Sequence, residues 1–278
     1  MRIVSRGFLL LLIALRSEGA EIGARDPAHA VLDESFRLMY ALKFDAARGR
    51  IETCSQLSPE NPLCAAAKAA SYLFEGFYRQ GVLTSAFFLD DNQLLGSVAG
   101  DPNPERDATF LGANQRARRM AEHRLTASPR DEDALLALTL TDGMSADFEA
   151  LIRKHQMKSL SYIRRAEKEA DVLLEVDPDN GDAYLAIGAA NYIIGCLPAY
   201  KRFVLWFGGI HGDRQAGMEQ LQVAASRGVY LQPMAKMLLA LAAEREHQPD
   251  RARALLADLN REFPDNPVFA HELSLLQH

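Results

Sequence analysis

The feature that most constrains this chain is a recurrent break in helical sequence. Pro59, Pro129, Pro178 and Pro264 each follow an alanine by twelve positions: Ala47, Ala117, Ala166 and Ala252. Two residues beyond each proline stands Asn61, Asp131, Asn180 or Asn266. Proline cannot continue a helix, because it lacks the N–H and its ring strikes the preceding turn. Asn and Asp accept hydrogen bonds from the free N–H groups at a helix start. Each site therefore reads as the end of one helix and the start of the next. The clearest runs from Val176 to Gly188, where Asp179, Asn180 and Gly181 supply turn chemistry ahead of Tyr184, Ile187 and Gly188.

That stretch resembles the tetratricopeptide repeat (TPR), a 34-residue helix–turn–helix unit. Its first helix reads Trp-x2-Leu-Gly-x2-Tyr, and its second carries Ala and then Pro. In that frame the four alanines fall where the two helices of a repeat lie closest, and a small side chain is required there. Residues 28–61 and 233–266 make unbroken units, the second opening on Pro233 and carrying Leu239 and Ala240 at the Leu-Gly positions. Residues 62–131, 132–180 and 181–232 exceed the repeat length and read as repeats with insertions. The eighth position of each repeat is Ser35, Ala69, Thr139, Gly188 and Ala240, mostly small. Only Tyr184 supplies the aromatic expected at the fourth position. The unit 181–232 lacks a closing proline and ends near Arg227-Gly228, a glycine C-cap. Residues 267–277 read as a capping helix. The resemblance implies an all-α, right-handed solenoid of about five helical hairpins plus a C-terminal cap. A long concave surface lined by the first helices goes with it. A generic array of helical hairpins predicts nearly the same shape.

Ahead of the repeats, Arg2 and Arg6 precede the apolar run Gly7 to Leu15. Basic residues followed by a short apolar run describe a secretory signal over residues 1–20, with export to the periplasm or the exterior. The run is shorter than the roughly 20 residues that span a bilayer. Formal charge is -6, so the chain as a whole has no electrostatic attraction to nucleic acid.

All three insertions are expected between the two helices of their repeats, along one edge of the solenoid, touching one another. The first, about 81–107, is rich in glycine and proline, and Phe74, Phe77 and Tyr78 precede it. Its rings also suit a local satellite core. The second, Phe148 to Val176, has no glycine or proline and reads as one long helix. Its apolar stripe includes His155, and Arg153, Lys154, Lys158, Arg164, Arg165 and Lys168 form a basic face. The third runs from Leu197 to Asp213, holds the single tryptophan and is uncharged from Phe203 to Ile210. It reads as a core plug, a partner-contact surface or a peripheral membrane contact.

No nucleotide-binding, zinc-protease or serine-hydrolase pattern is present, and neither a metal nor a cofactor is expected. His211 and Asp213 share a glycine-rich turn, where a structural use outweighs acid–base chemistry. Asp90 and Asp91 read as a solvated loop pair. Two free thiols are the expectation for Cys54 and Cys64, with a disulfide as the alternative. The resemblance implies a non-catalytic scaffold that binds protein or peptide. Tyr184, Asn191 and Tyr192 are its candidate contacts, together with Tyr200, Trp206 and His211 from the third insertion. The alternative function is a binder of a lipid or other hydrophobic small molecule, with the aromatic insertions as its pocket.

Overall fold

The computed structural model describes residues 27–89, 102–197 and 211–276, and every regular element among them is helical. Five hairpins follow one another. The first pairs α1 (Pro27–Tyr40) with α2 (Phe44–Leu57). In the second, α3 (Pro62–Arg79) and the short α4 (Ser85–Leu89) precede α5 (Pro104–Ala127). The third pairs α6 (Glu132–Asp147) with α7 (Gln156–Val176). The fourth pairs α8 (Ala183–Gly195) with α9 (Arg214–Arg227). The fifth pairs α10 (Gln232–Arg245) with α11 (Pro249–Glu262), and α12 (Pro267–Leu275) covers the end. Each hairpin leans on the next, and the first helices of neighbouring hairpins also touch: α1 on α3, α3 on α6, α6 on α8.

The residues after the prolines start these helices. Asn61 Oδ1 accepts from Leu63 N, Asp131 Oδ1 from Ala134 N, and Asn266 Oδ1 from Val268 N. Asn180 Oδ1 accepts from Ala183 N across the turn into α8. Ala47, Ala117, Ala166 and Ala252 are all enclosed, at 0–3% exposure. Each lies ten residues before the last residue of its helix. In α9 that place belongs to Gly217. A Cβ there would stand 2.5 Å from Tyr192 N and 2.8 Å from Gly188 O, so α8 and α9 touch backbone to backbone. The fourth crossing is thus the tightest, and it is the one with no proline to announce it. Gly228 ends α9 with a negative φ of -57°, so it is required for space: a Cβ would press on Ala224 O and Asp182 Oδ1.

The array closes on itself, where a long open concave surface was expected. Phe36 of α1 meets Tyr230 with ring centroids 5.3 Å apart, and Tyr40 meets Phe263 at 5.7 Å. Tyr40 Oη donates to Tyr230 O at 3.2 Å, and Asn266 Nδ2 donates to Tyr40 O at 2.8 Å. Arg37–Glu262 and Lys43–Asp265 pairs flank this seam. On another side, α4 rests on α10, and Ser85 N donates to Glu272 of α12. The inner faces of the first helices share one core with the seam, including Phe74, Leu135, Ile187 and Phe269. The physical reason is the aromatic content of these faces. Buried apolar area contributes roughly 25 cal/mol per Å², and wide exposure of such rings to water is unfavourable.

The second insertion is not one long helix. After α6 the chain makes a π-helical turn over Phe148–Ile152, reverses at Lys154 (φ 58°) and begins α7 at Gln156. Glu149, 3% exposed, is the cause. Lys158 Nζ (2.7 Å), His155 Nδ1 (2.9 Å) and Arg153 Nη1 (3.3 Å) all turn back onto its carboxylate. His155 therefore belongs to this charged knot, and the apolar stripe does not continue through it. The surplus residues lengthen the helices around a tight reversal. Phe77, Val82 and Phe87 pack with Phe110, Met144 and Phe148 in a satellite core, and Lys154 Nζ lies 5.0 Å over the Phe87 ring. The first two connections thus touch.

Cys54 and Cys64 are joined as a disulfide between α2 and α3, where two free thiols were expected. The short proline turn brings their Cα atoms to 5.8 Å, inside bonding range. Residues 1–20, Asp90, Asp91, Tyr200, Trp206 and Phe203 to Ile210 lie outside the described residues.

The crossing geometry yields a test. Gly217→Val is expected to lose about 2–3 kcal/mol in urea unfolding, because backbone atoms cannot yield. Gly49→Ala, at a helix-interior site with no atom near its Cβ, is expected to gain about 0.5–1 kcal/mol.

Candidate partner-binding site

Helix α8 carries three of the nominated residues. Tyr184 and Tyr192 pack against the cluster of Leu221, Ala225 and Leu239 beside α9 and α10. Tyr184 Oη donates to Pro178 O at 3.4 Å, closing the turn before its own helix. The Tyr192 hydroxyl is buried beside the Cys196 thiol. Burial pushes its pKa up, and neighbouring Cys196 and Glu246 add to the shift. Asn191 ties α8 to the start of α9: its Nδ2 donates to Gln220 Oε1 at 2.9 Å, and its Oδ1 accepts from Asp213 N at 3.4 Å. His211 is exposed at the mouth of this junction, on the side of Glu167 of α7. Burial and then Asp171 raise the Glu167 carboxyl, while Arg164 and His211 draw it back. Asp213 Oδ1 caps α9 through Gln215 N (2.8 Å) and Ala216 N (3.1 Å), so this turn uses the carboxylate structurally.

Asp213 is also on the wall of a polar cleft of about 800 Å³, which Tyr184, Asn191, Tyr192 and His211 do not line. It opens where α8 ends, α9 begins and the α10–α11 turn passes alongside. Asp213, Arg214, Glu219, Glu246 and Arg251 line it, with the free thiol of Cys196 at one wall. Arg214 Nη1 lies 3.0 Å from Glu246 Oε1, and Arg251 Nη2 donates to Gln222 Oε1 at 3.3 Å. Both signs of charge and several amides face one opening. Such a lining matches a hydrogen-bonding chain better than an acyl tail. Arg214, Glu246 and Arg251 were not nominated from sequence. They come from three separate helices or turns, and only the packing of α8 to α11 brings them together.

At the opposite helix ends, a pocket of about 220 Å³ lies where the starts of α1, α3, α6, α8 and α10 converge. His29 Nε2 and Asn61 Nδ2 both lie 3.0 Å from Asp133 Oδ2. Asp182, 3% exposed, accepts from Tyr230 N and Leu231 N at 2.9–3.1 Å through its Oδ1. Burial raises its carboxyl against these backbone donors. These carboxylates face helix starts and their free N–H groups, a structural use that fastens the turn next to the seam. Among the described residues, no group of three or more His, Cys, Asp or Glu side chains is arranged to hold a metal ion.

A solved structure decides the fold. The crystal structure of a thermophilic TPR protein from Thermus thermophilus matches 90% of this chain and 98% of its own, with a TM-score of 0.51 at 14% identity. This chain has a TPR-like fold. No protein-family model matches it, and no curated protein does. In the TPR-like frame, Tyr184 keeps its place in inter-helix packing, while Leu197, Gly212 and Asp213, at the described ends of the fourth hairpin's connection, line the polar cleft.

Asp182→Ala is expected to lose about 2–3 kcal/mol in denaturant unfolding, because buried N–H groups lose their acceptor. Tyr192→Phe removes a hydroxyl whose neighbour is a thiol, a weak hydrogen-bonding group, and is expected to leave stability within about 0.5 kcal/mol of the parent.

Proposed function

We propose that this chain is a non-catalytic scaffold that binds a protein or peptide partner after export to the periplasm or the cell exterior. TPR-like folds serve as interaction platforms, and their enlarged connections cluster along one edge. The observation that carries the reading is the cleft lined by Asp213, Arg214, Glu246 and Arg251. Its lining is polar and doubly charged, whereas the inner faces of the first helices are occupied by the protein's own core. The partner segment is accordingly polar and extended, and it pairs with Arg214, Glu246 and Arg251. Tyr200 and Trp206, which follow Leu197 in the sequence, are included in the proposed contact. Binding of a lipid or other hydrophobic small molecule is the weaker reading, since Phe87 of the first insertion is packed into a core with Phe77, Phe110 and Phe148. Export rests on the basic and apolar order of residues 1–20.

The test uses the exported chain and a double variant, Arg214→Glu with Arg251→Glu. Crosslinking in the native envelope should capture a defined protein with the parent. The variant should bind that protein about tenfold more weakly, with unchanged unfolding. Equal binding by both would remove the cleft from the account. An exported form whose N-terminus still begins at Met1 would contradict the signal assignment.

A further inference from the structure

Midway along the array, the junction of α5, α6 and α7 buries charge. Asp142 of α6 is 1% exposed. Its Oδ1 takes Arg118 Nη1 from α5 at 2.5 Å and Arg165 Nη2 from α7 at 2.9 Å. Glu169, one turn beyond Arg165 on α7, hydrogen-bonds to the same carboxyl. Arg118 Nη2 stands 3.6 Å from Glu169 Oε1. The remaining oxygens, Asp142 Oδ2 and Glu169 Oε2, are both buried, and neither accepts a hydrogen bond from an N–H or hydroxyl of the surrounding helices. The other groups nearby are already engaged. Glu122 of α5 is held by Arg118 Nε at 2.7 Å, and Asn114 Nδ2 donates to Thr141 O and Ser145 Oγ.

Two carboxyl groups that meet in a buried interface cannot both ionise cheaply, and buried acceptors need a donor. One proton held between them supplies it. We propose that Asp142 and Glu169 share a single proton, and that its release loosens α7 from α5 and α6, which makes this junction a pH-responsive joint. Burial, and then the Asp142 charge, raise the Glu169 carboxyl from 4.5 to about 8, against the pull of Arg118 and Arg165. The sign follows from linkage. Between these values the closed junction holds a proton that the opened junction has lost. Opening therefore releases a proton and becomes more favourable as pH rises, by about tenfold per pH unit, and levels off above the upper value. The joint lies away from the aromatic seam, so the array can flex there without parting Tyr40 from Phe263.

The experiment is amide hydrogen exchange of the full chain between pH 6 and 9, read by mass spectrometry and corrected for intrinsic rates. Peptides of α7 should open about tenfold more per pH unit up to about pH 8 in the parent. Glu169→Gln keeps a donor toward Asp142 at every pH and should remove that slope from α7. Carboxyl ¹³C resonances of the parent give an independent reading, with Glu169 expected to titrate near the upper value. A Glu169 carboxyl already ionised at pH 6 would overturn the proposal even if the variant failed to fold. So would a Glu169→Gln protein that retains the parent's slope.

Discussion

The closed shape depends on Tyr40, which stands at the end of the first helix and makes its contacts near the end of the chain. Its ring lies between Phe74 and Phe263, and its hydroxyl reaches the backbone of Tyr230. Burial pushes that hydroxyl's pKa far up, so it remains a donor at any ordinary pH. The flanking Arg37–Glu262 and Lys43–Asp265 pairs are largely exposed, and exposed pairs contribute little. The seam is therefore held by aromatic burial and by two hydrogen bonds at backbone carbonyls. Once it forms, the inner faces of the first helices belong to one core, and the surface left for a partner moves to the helix ends.

That displacement is why the proposed contact is placed at an edge. A solenoid that curls far enough to touch itself has no free groove, but it keeps its two edges. One edge gathers helix starts, and its carboxylates are spent on backbone donors and on His29. The other leaves a cleft with Arg214, Glu246 and Arg251 at its wall. Asn191 serves both the fold and the cleft, since the bonds that tie α8 to α9 also fix the cleft's rim.

Much of the fold is legible in the sequence because its constraints are local. An alanine at each crossing, a proline at each break and an Asn or Asp at each start act within a few residues. The fourth crossing escapes that reading because Gly217 replaces alanine and no proline follows it. The reversal at Lys154 escapes for a different reason. Arg153 and Lys158 look like a solvated helical face, and His155 like part of an apolar stripe, until Glu149 is seen to collect them. The seam has no local signal at all: Phe36 and Tyr230 are ordinary apolar positions until the curvature of the whole array brings them together. The cleft is hidden in the same way, since no periodicity links Arg214 to Glu246.

Closure of the array is the claim on which the placement of the site rests. Spin labels at Lys43→Cys and Asp265→Cys, in a Cys196→Ser background with the Cys54–Cys64 bond intact, measure it by pulsed electron resonance. A closed array gives a short, narrow distance distribution between the two labels. A long, broad distribution, as from the ends of an open five-hairpin solenoid, would contradict the closed seam and return the inner face to solvent.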